Sequence, residues 1–333
     1  MAISLYIHIP FCLKRCIYCD FTSEIYNAEK AYSYSEALKK EIMKLPENTP
    51  LSTLFIGGGT PTVLSCHTLH ILLDCIYTHF TCSDNFESTI EANPGTLDSE
   101  KLQLIRSSGT SRISIGVQSF NNDELMLLGR VHTGEEAEQA VRLARDAGFN
   151  NINIDLIYAI PGQSLKSWRD TLQQAVRAQP THISAYELTA GEGTLLHKYL
   201  QSPSSPLFAK GRVSEDIVIE MYNHTIEYLK SEGFIHYEIS NFAQAGFMCK
   251  HNMNYWDRGE YYGAGLGAHS FICGKRTYNT VDLDEYLALI AENKSPVIES
   301  EIISDVTGLS EAIFLGLRKT EGINIESFSR QYK

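Results

Sequence analysis

The sequence lacks an excess of basic residues, a long apolar run and a leader-like start, and each absence excludes a class of protein. It has 28 Lys and Arg against 40 Asp and Glu among 333 residues, a formal charge of −12 that argues against a nucleic-acid partner. No apolar run approaches the length needed to cross a bilayer. The start, MAISLYIHIPF, has no basic region and no small-residue cleavage site, and it predicts a strand. We therefore expect a cytoplasmic protein.

Short β-rich runs alternate with helical patterns through the first 190 residues. Helical spacing of apolar residues is clear at 65–80, 135–149 and 167–178, and a longer helix is predicted at 213–232. Strand–helix alternation with nearly continuous apolar strands predicts parallel βαβ units. Six such units form either a partial (β/α)6 barrel or a doubly wound open sheet. The predicted strands are 4–9, 52–57, 87–92, 112–117, 151–158 and 182–188.

A polar or glycine-rich element follows each of these strands. In a parallel barrel the functional residues cluster on the loops after the carboxyl ends of the strands, whereas an open sheet brings fewer of them together. One rim carrying six such elements therefore favours the barrel. The element after the first strand contains cysteines and is described below. The elements after the other five strands are GGGTPT (57–62), EANPG (91–95), GVQSF (116–120), AIPGQ (159–163) and YEL (186–188).

Three cysteines follow the first strand, in the stretch HIPFCLKRCIYCDF. Reduced thiols at this spacing, Cys12, Cys16 and Cys19, favour a metal site over disulfides. A structural zinc site fills four positions, whereas a working site leaves one open, and a cubane held by three thiolates would expose one iron. The alternative is a zinc knuckle completed by His8 or by a distant cysteine.

The segment CLKRCIYC matches C-x3-C-x2-C, the cluster motif of the radical S-adenosylmethionine superfamily. Together with GGGTPT, EANPG and GVQSF in order, the chain resembles the branch that contains oxygen-independent coproporphyrinogen III oxidase and the bacterial heme chaperones. The resemblance runs from about residue 4 to the end. It implies a partial (β/α)6 barrel over 1–190 and a family-specific α+β extension over 191–300. It also implies the start of a small helical C-terminal domain over 301–333, which we expect to be incomplete.

The resemblance also implies a cofactor site. Cys12, Cys16 and Cys19 would hold a [4Fe–4S] cluster, and S-adenosylmethionine would chelate its fourth iron. Taken singly, each further residue has a plain structural interpretation, such as a tight turn, a strand-end carboxylate or a surface ion pair. Their order along one rim favours the cofactor site. The residues expected to bind or line S-adenosylmethionine are Tyr6, Tyr18, Gly58, Gly59, Thr60, Glu91, Gln118, Arg130 and Asp155.

The segment HNMNYW (251–256) resembles the H-N-x-x-Y-W signature of the heme-chaperone branch. Neutral imidazole is the common axial donor to heme iron, so His251 is the candidate heme ligand. The alternative is a hydrogen-bonded core histidine beside Trp256. His269, in the glycine-rich YYGAGLGAHSF, is a second and weaker candidate.

One departure from the oxidase pattern directs the functional prediction. The oxidases carry a further cysteine two positions after the motif, whereas this chain has Phe21. We therefore expect a heme chaperone that binds the cluster, S-adenosylmethionine and heme, and that delivers heme to an acceptor protein; the resemblance points to respiratory membrane proteins. Reduction of the cluster would require an electron donor. The alternatives are an oxygen-independent coproporphyrinogen III oxidase and a radical enzyme acting on another substrate.

Overall fold

The computed structural model describes residues 2–332, whose strands are joined mainly in one twelve-stranded mixed sheet. A separate two-stranded pair carries the first of the clustered cysteines. The strands are β1 (Ile3–Ile9), β2 (Phe11–Cys12), β3 (Glu24–Ile25), β4 (Pro50–Gly58), β5 (Thr81–Ala92), β6 (Arg112–Gln118), β7 (Asn151–Tyr158), β8 (His182–Glu187), β9 (Ile235–Glu238), β10 (Asn241–Ala243), β11 (Tyr261–Ala264), β12 (His269–Ile272), β13 (Lys275–Asn279) and β14 (Val297–Ile302).

Helices follow the successive strands of the first half and also lie between the later strands. Ser65 caps the helix that begins at Cys66, because its hydroxyl accepts the Thr68 N–H at 3.1 Å. The helices are α1 (Ala28–Ile42), α2 (Cys66–His79), α3 (Ser99–Ser107), α4 (Asn122–Leu128), α5 (Gly134–Asp146), α6 (Leu165–Arg177), α7 (Leu195–Gln201), α8 (Pro206–Lys210), α9 (Glu215–Ser231), α10 (Lys250–Trp256), α11 (Leu283–Ala291), α12 (Asp305–Gly316) and α13 (Ile325–Gln331).

The predicted barrel strands are neighbours in the order β1-β4-β5-β6-β7-β8, and every pair is parallel. This arrangement confirms the partial (β/α)6 barrel. The extension continues the same sheet at both edges: β11 pairs parallel with β1 and leads to antiparallel β12, β13 and β14, while β10 and β9 are added antiparallel beside β8. The division of the chain at residues 190 and 300 stays a prediction.

Alternation along the barrel strands separates the core from the barrel interior. In β6 the side chains of Ile113, Ile115 and Val117 are fully buried in the main hydrophobic core. Successive residues of a strand face opposite sides, so Ser114 and Gly116 lie on the other face, where they line a cavity. The strands therefore present apolar residues to the helices and polar residues to the interior.

Within residues 2–332, no helix combines the length and apolar character needed to cross a membrane.

Candidate functional site

A cavity of about 340 Å³ opens at the carboxyl ends of the barrel strands. It collects nearly all of the residues that the sequence predicts for the cluster and for S-adenosylmethionine. Two predicted residues, Tyr6 and His251, lie elsewhere. The predicted residues on its wall are Cys12, Cys16, Tyr18, Cys19, Gly58, Gly59, Thr60, Glu91, Gln118, Arg130 and Asp155.

Cys12 ends the short strand β2, and Cys16 and Cys19 lie on the loop that follows it. The Cys19 N–H donates to the Cys16 carbonyl oxygen at 3.3 Å, which tightens the loop. The Thr60 hydroxyl donates to the Cys12 sulfur at 3.7 Å. Burial raises the pKa of the Cys12 and Cys19 thiols, so these two thiols carry their protons in the metal-free chain. Because a metal takes thiolates, loading of the site releases protons.

The donor chemistry of this loop fits an iron–sulfur cluster. Three soft sulfur donors share one cavity wall, and a basic side chain lies against one of them. Among residues 2–332, no three His, Cys, Asp or Glu side chains are already grouped to hold a single metal ion. The zinc alternative named His8 or a distant cysteine as the fourth ligand. The ring nitrogens of His8 are hydrogen-bonded to the Tyr6 hydroxyl at 2.9 Å and to the Thr22 carbonyl oxygen at 2.9 Å.

The glycine-rich turn after β4 packs directly against the cysteine loop. A Cβ atom at Gly59 would lie 2.8 Å from the Phe11 carbonyl oxygen and 3.0 Å from the Cys12 sulfur. Gly58 has a φ of +112°, which side-chain-bearing residues rarely adopt. The glycines are therefore required for the approach of the turn to the cysteine loop.

Two carboxylates face the cavity from neighbouring positions. Glu91 accepts the Gly58 N–H at 3.1 Å. Burial, and to a smaller extent the negative charge of Asp155, raises the pKa of Glu91 to about 8. Asp155 is held by the Ser114 hydroxyl at 3.0 Å and by the side-chain amide of Asn153 at 2.8 Å. A neutral Glu91 beside a fixed Asp155 suits a cationic or hydroxyl-bearing ligand.

An irregularity in β6 redirects Gln118 towards the cavity. The register between β6 and β7 shifts between Gly116 and Gln118, and Gln118 has a φ of +67°. Such bulges commonly re-aim a side chain beside a functional site, and a positive φ outside glycine stores strain. The sequence predicted this residue but not its conformation.

The sequence interpretation missed several residues of the cavity wall. Ser114 of β6 and Tyr186 of β8 line this wall. Ser114 also orients Asp155 together with Asn153, which lies behind the wall. The sequence did carry a signal, because residues two positions apart on a strand lie on the same face. Ser114 precedes Gly116 by two positions, Asn153 precedes Asp155 by two, and Tyr186 follows Ser184 by two, on the polar face of each strand.

A second cavity, of about 520 Å³, adjoins the first. The two share wall residues from the cysteine loop and from β4 and β5: Asp20, Phe21, Gly58 and Glu91. Aromatic rings and imidazoles line much of the remainder, including the predicted residue Tyr6. The other wall residues are His8, Thr22, Tyr255, Tyr261, Gly267, His269 and Tyr278.

His251 lies outside both cavity walls, 1% exposed. Its Nδ1 is hydrogen-bonded to the Thr53 hydroxyl at 2.7 Å and its Nε2 to the Tyr255 hydroxyl at 3.0 Å. Burial and then the charge of Arg112 lower the pKa of His251 to about 3, so the ring is neutral. These are the surroundings of a hydrogen-bonded core histidine, and Tyr255 separates the ring from the second cavity.

Comparison with known proteins gives one consistent result. Residues 6–175 match the Radical SAM superfamily. The chain is 38% identical over 336 residues to the heme chaperone HemW of Bacillus subtilis, covering 99% of this chain and 86% of that protein. It is 38% identical over 330 residues to the heme chaperone HemW of Lactococcus lactis, covering 99% and 85%.

Among solved structures, the radical SAM enzyme coproporphyrinogen III oxidase (HemN) from Escherichia coli superposes with a TM-score of 0.87. The sequences are 23% identical, and the match covers 99% of this chain and 79% of that one. At that identity the likeness shows a shared fold.

Proposed function

This chain belongs to the radical SAM superfamily and, within it, to the family of the heme chaperone HemW, and from that membership we propose that it binds heme and delivers it to an acceptor protein. The observation that carries the proposal is the similarity to proteins of that name over almost the whole chain. Phe21 supports it, because the oxidase pattern that the sequence resembles implies a cysteine at this position.

We assign Cys12, Cys16 and Cys19 as the thiolate ligands of a [4Fe–4S] cluster whose fourth iron is left for S-adenosylmethionine. Such a cluster, once reduced, would supply the electron for reductive cleavage of a sulfonium. The chain contributes the positive charge of Arg130 beside Cys16 and the fixed carboxylate of Asp155. The turn at Gly58 and Gly59 offers backbone to the methionine moiety. Tyr18, Thr60, Glu91 and Gln118 complete this wall.

Heme occupies the second cavity in this proposal. Its volume of about 520 Å³ and its aromatic walls suit a flat, largely apolar macrocycle. Tyr6 belongs to this cavity. The predicted heme-binding residue His251 acts here through Tyr255, because its Nε2 is hydrogen-bonded to the hydroxyl of that wall residue at 3.0 Å.

The remaining partners are also proposals. Heme delivery requires an acceptor apoprotein, for which respiratory membrane proteins are our candidates, and reduction of the cluster requires a low-potential electron donor.

An anaerobic comparison tests the function. The reconstituted protein is titrated with hemin, incubated with heme-depleted bacterial membranes, and separately incubated with coproporphyrinogen III, S-adenosylmethionine and a reductant. We expect binding of heme at a ratio near one, transfer to the membranes, and no protoporphyrinogen IX. Formation of protoporphyrinogen IX would instead establish the oxidase, and failure to bind hemin would reject the chaperone.

A further inference from the structure

His269 lines the second cavity, and neither of its ring nitrogens makes a hydrogen bond within residues 2–332. Its ring stacks on Tyr278 with centroids 4.3 Å apart and planes 25° from parallel. The two residues are directly opposed in the β12–β13 ladder. A cross-strand aromatic pair fixes ring orientation, so this imidazole is held in place while its nitrogens stay available.

The other histidines near this cavity have their nitrogens engaged. His8 is bonded through Nδ1 to Tyr6 and through Nε2 to the Thr22 carbonyl oxygen. His251 is bonded to Thr53 and to Tyr255. For either ring to bind a metal, a buried polar partner would lose its hydrogen bond, which costs free energy.

The glycine-rich turn before β12 explains how His269 reaches the cavity. Gly265, at φ +105°, approaches β1 so closely that a Cβ there would lie 2.7 Å from the His8 carbonyl oxygen. Gly267, at φ +64°, would place a Cβ 3.1 Å from the Thr22 hydroxyl, on the loop that follows the cysteines. The turn therefore docks the start of β12 against the cysteine loop, and His269 is the first residue of that strand.

We propose that His269 is the protein's axial ligand to heme iron in the second cavity, with the macrocycle lying among Tyr255, Tyr261 and Tyr278. This inference rests on the proposed heme-binding function and names the imidazole that would bind the iron.

The position of the proposed ligand also determines where the heme lies relative to the cluster. The second cavity shares Phe21 and Glu91 with the cluster cavity. Phe21 is 63% exposed, an unusual state for a large apolar side chain that borders two cavities. Its ring offers the macrocycle an apolar surface at the boundary of the two cavities.

Hemin titration of matched variants tests the ligand. The wild type, His269→Ala, His251→Ala and the control His67→Ala, an exposed histidine on α2, are reconstituted anaerobically. Heme spectra are recorded as differences against the same cluster-loaded protein, together with electron paramagnetic resonance of the ferric heme. We expect His269→Ala to bind hemin at least about tenfold more weakly, with a displaced Soret band and an altered spin state, and added imidazole to restore both.

The other variants separate this inference from the function on which it rests. His251→Ala should weaken binding without changing the spin state, and His67→Ala should match the wild type. An unchanged Soret band and spin state in His269→Ala, with the wild type binding hemin, would overturn His269 as ligand and leave the chaperone proposal intact. If the wild type itself binds no hemin, both proposals fall. Iron and sulfide content of each variant excludes misfolding as the cause.

Discussion

Arg130 donates from Nη1 to the Cys16 sulfur at 3.5 Å and from Nη2 to the Gly116 carbonyl oxygen at 2.6 Å. The second bond fixes the guanidinium on the end of β6, and the first brings its charge to a cluster cysteine. Tyr18 and Cys16 raise the pKa of Arg130 against the opposing effect of burial, so it stays charged. One cluster thiolate thus has a permanent cation as its neighbour.

The variant Arg130→Gln should make the cluster harder to reduce. Loss of a positive charge near a thiolate disfavours the more negative reduced state, and a unit charge at this range shifts the potential by on the order of 100 mV. Redox titration followed by electron paramagnetic resonance measures the midpoint potential. Arg142→Gln, an exposed arginine on α5, is the control and should not change it. A midpoint equal to the wild type's in Arg130→Gln would contradict an electrostatic role.

The variant Gly59→Ala should damage the cluster site. The added Cβ would meet the Phe11 carbonyl oxygen and the Cys12 sulfur, so the cysteine loop must move. Overpacking of this kind costs roughly 1–3 kcal/mol. We expect lower iron content after reconstitution and a reduced free energy of unfolding. Gly95→Ala is the matched control. The Cβ atom added at Gly95 would have a Val131 methyl at 3.7 Å as its nearest neighbour, so we expect this variant to keep its full iron content.

The barrel and most of its rim could be predicted because periodicity reports local packing. The apolar strands and the helix 135–149 are determined by burial on one face, and parallel strands necessarily bring their carboxyl ends to one edge. Residues as distant in sequence as Cys12 and Asp155 therefore line one cavity.

What could not be predicted depends on contacts between distant segments. β11 pairs with β1, which lies more than 250 residues before it in the chain, and the glycine turn after β11 packs against His8 of β1. The role of His251 likewise depends on Thr53, a residue of β4 that nothing in HNMNYW indicates. His269 stood out less in sequence because the signature lies elsewhere, although its unbonded ring faces the cavity.

Removal of the cap of α5 should lower stability without affecting the site. The Thr133 hydroxyl accepts the Glu136 N–H at 3.2 Å while the Glu136 carboxylate accepts the Thr133 N–H at 2.8 Å. Replacement of such a cap by alanine typically costs about 1 kcal/mol. Denaturant unfolding of Thr133→Ala should show this loss, and iron content should be unchanged. A fall in iron content would show that α5 supports the cluster loop.

Binding of S-adenosylmethionine should release protons through Glu91. Its pKa, raised from 4.5 to about 8, leaves the carboxyl mostly protonated at pH 7, and a cationic ligand favours the charged form. Calorimetric titration in buffers of different ionisation enthalpy should show release approaching one proton per ligand near pH 7, declining above pH 8. In Glu91→Gln the release should be smaller by that amount, whereas Glu100→Gln, an exposed residue on α3, should match the wild type.

The same pKa predicts how stability depends on pH in the ligand-free protein. Because the folded state holds the Glu91 proton more tightly than the unfolded state, its contribution is full below about pH 4.5 and is lost as pH rises to about 8. The free energy of unfolding of the wild type should therefore fall relative to that of Glu91→Gln across this window, and the difference should level off above it. A constant difference between the two proteins from pH 5 to pH 8 would mean that Glu91 is already ionised, and the proton release on ligand binding would then come from another group.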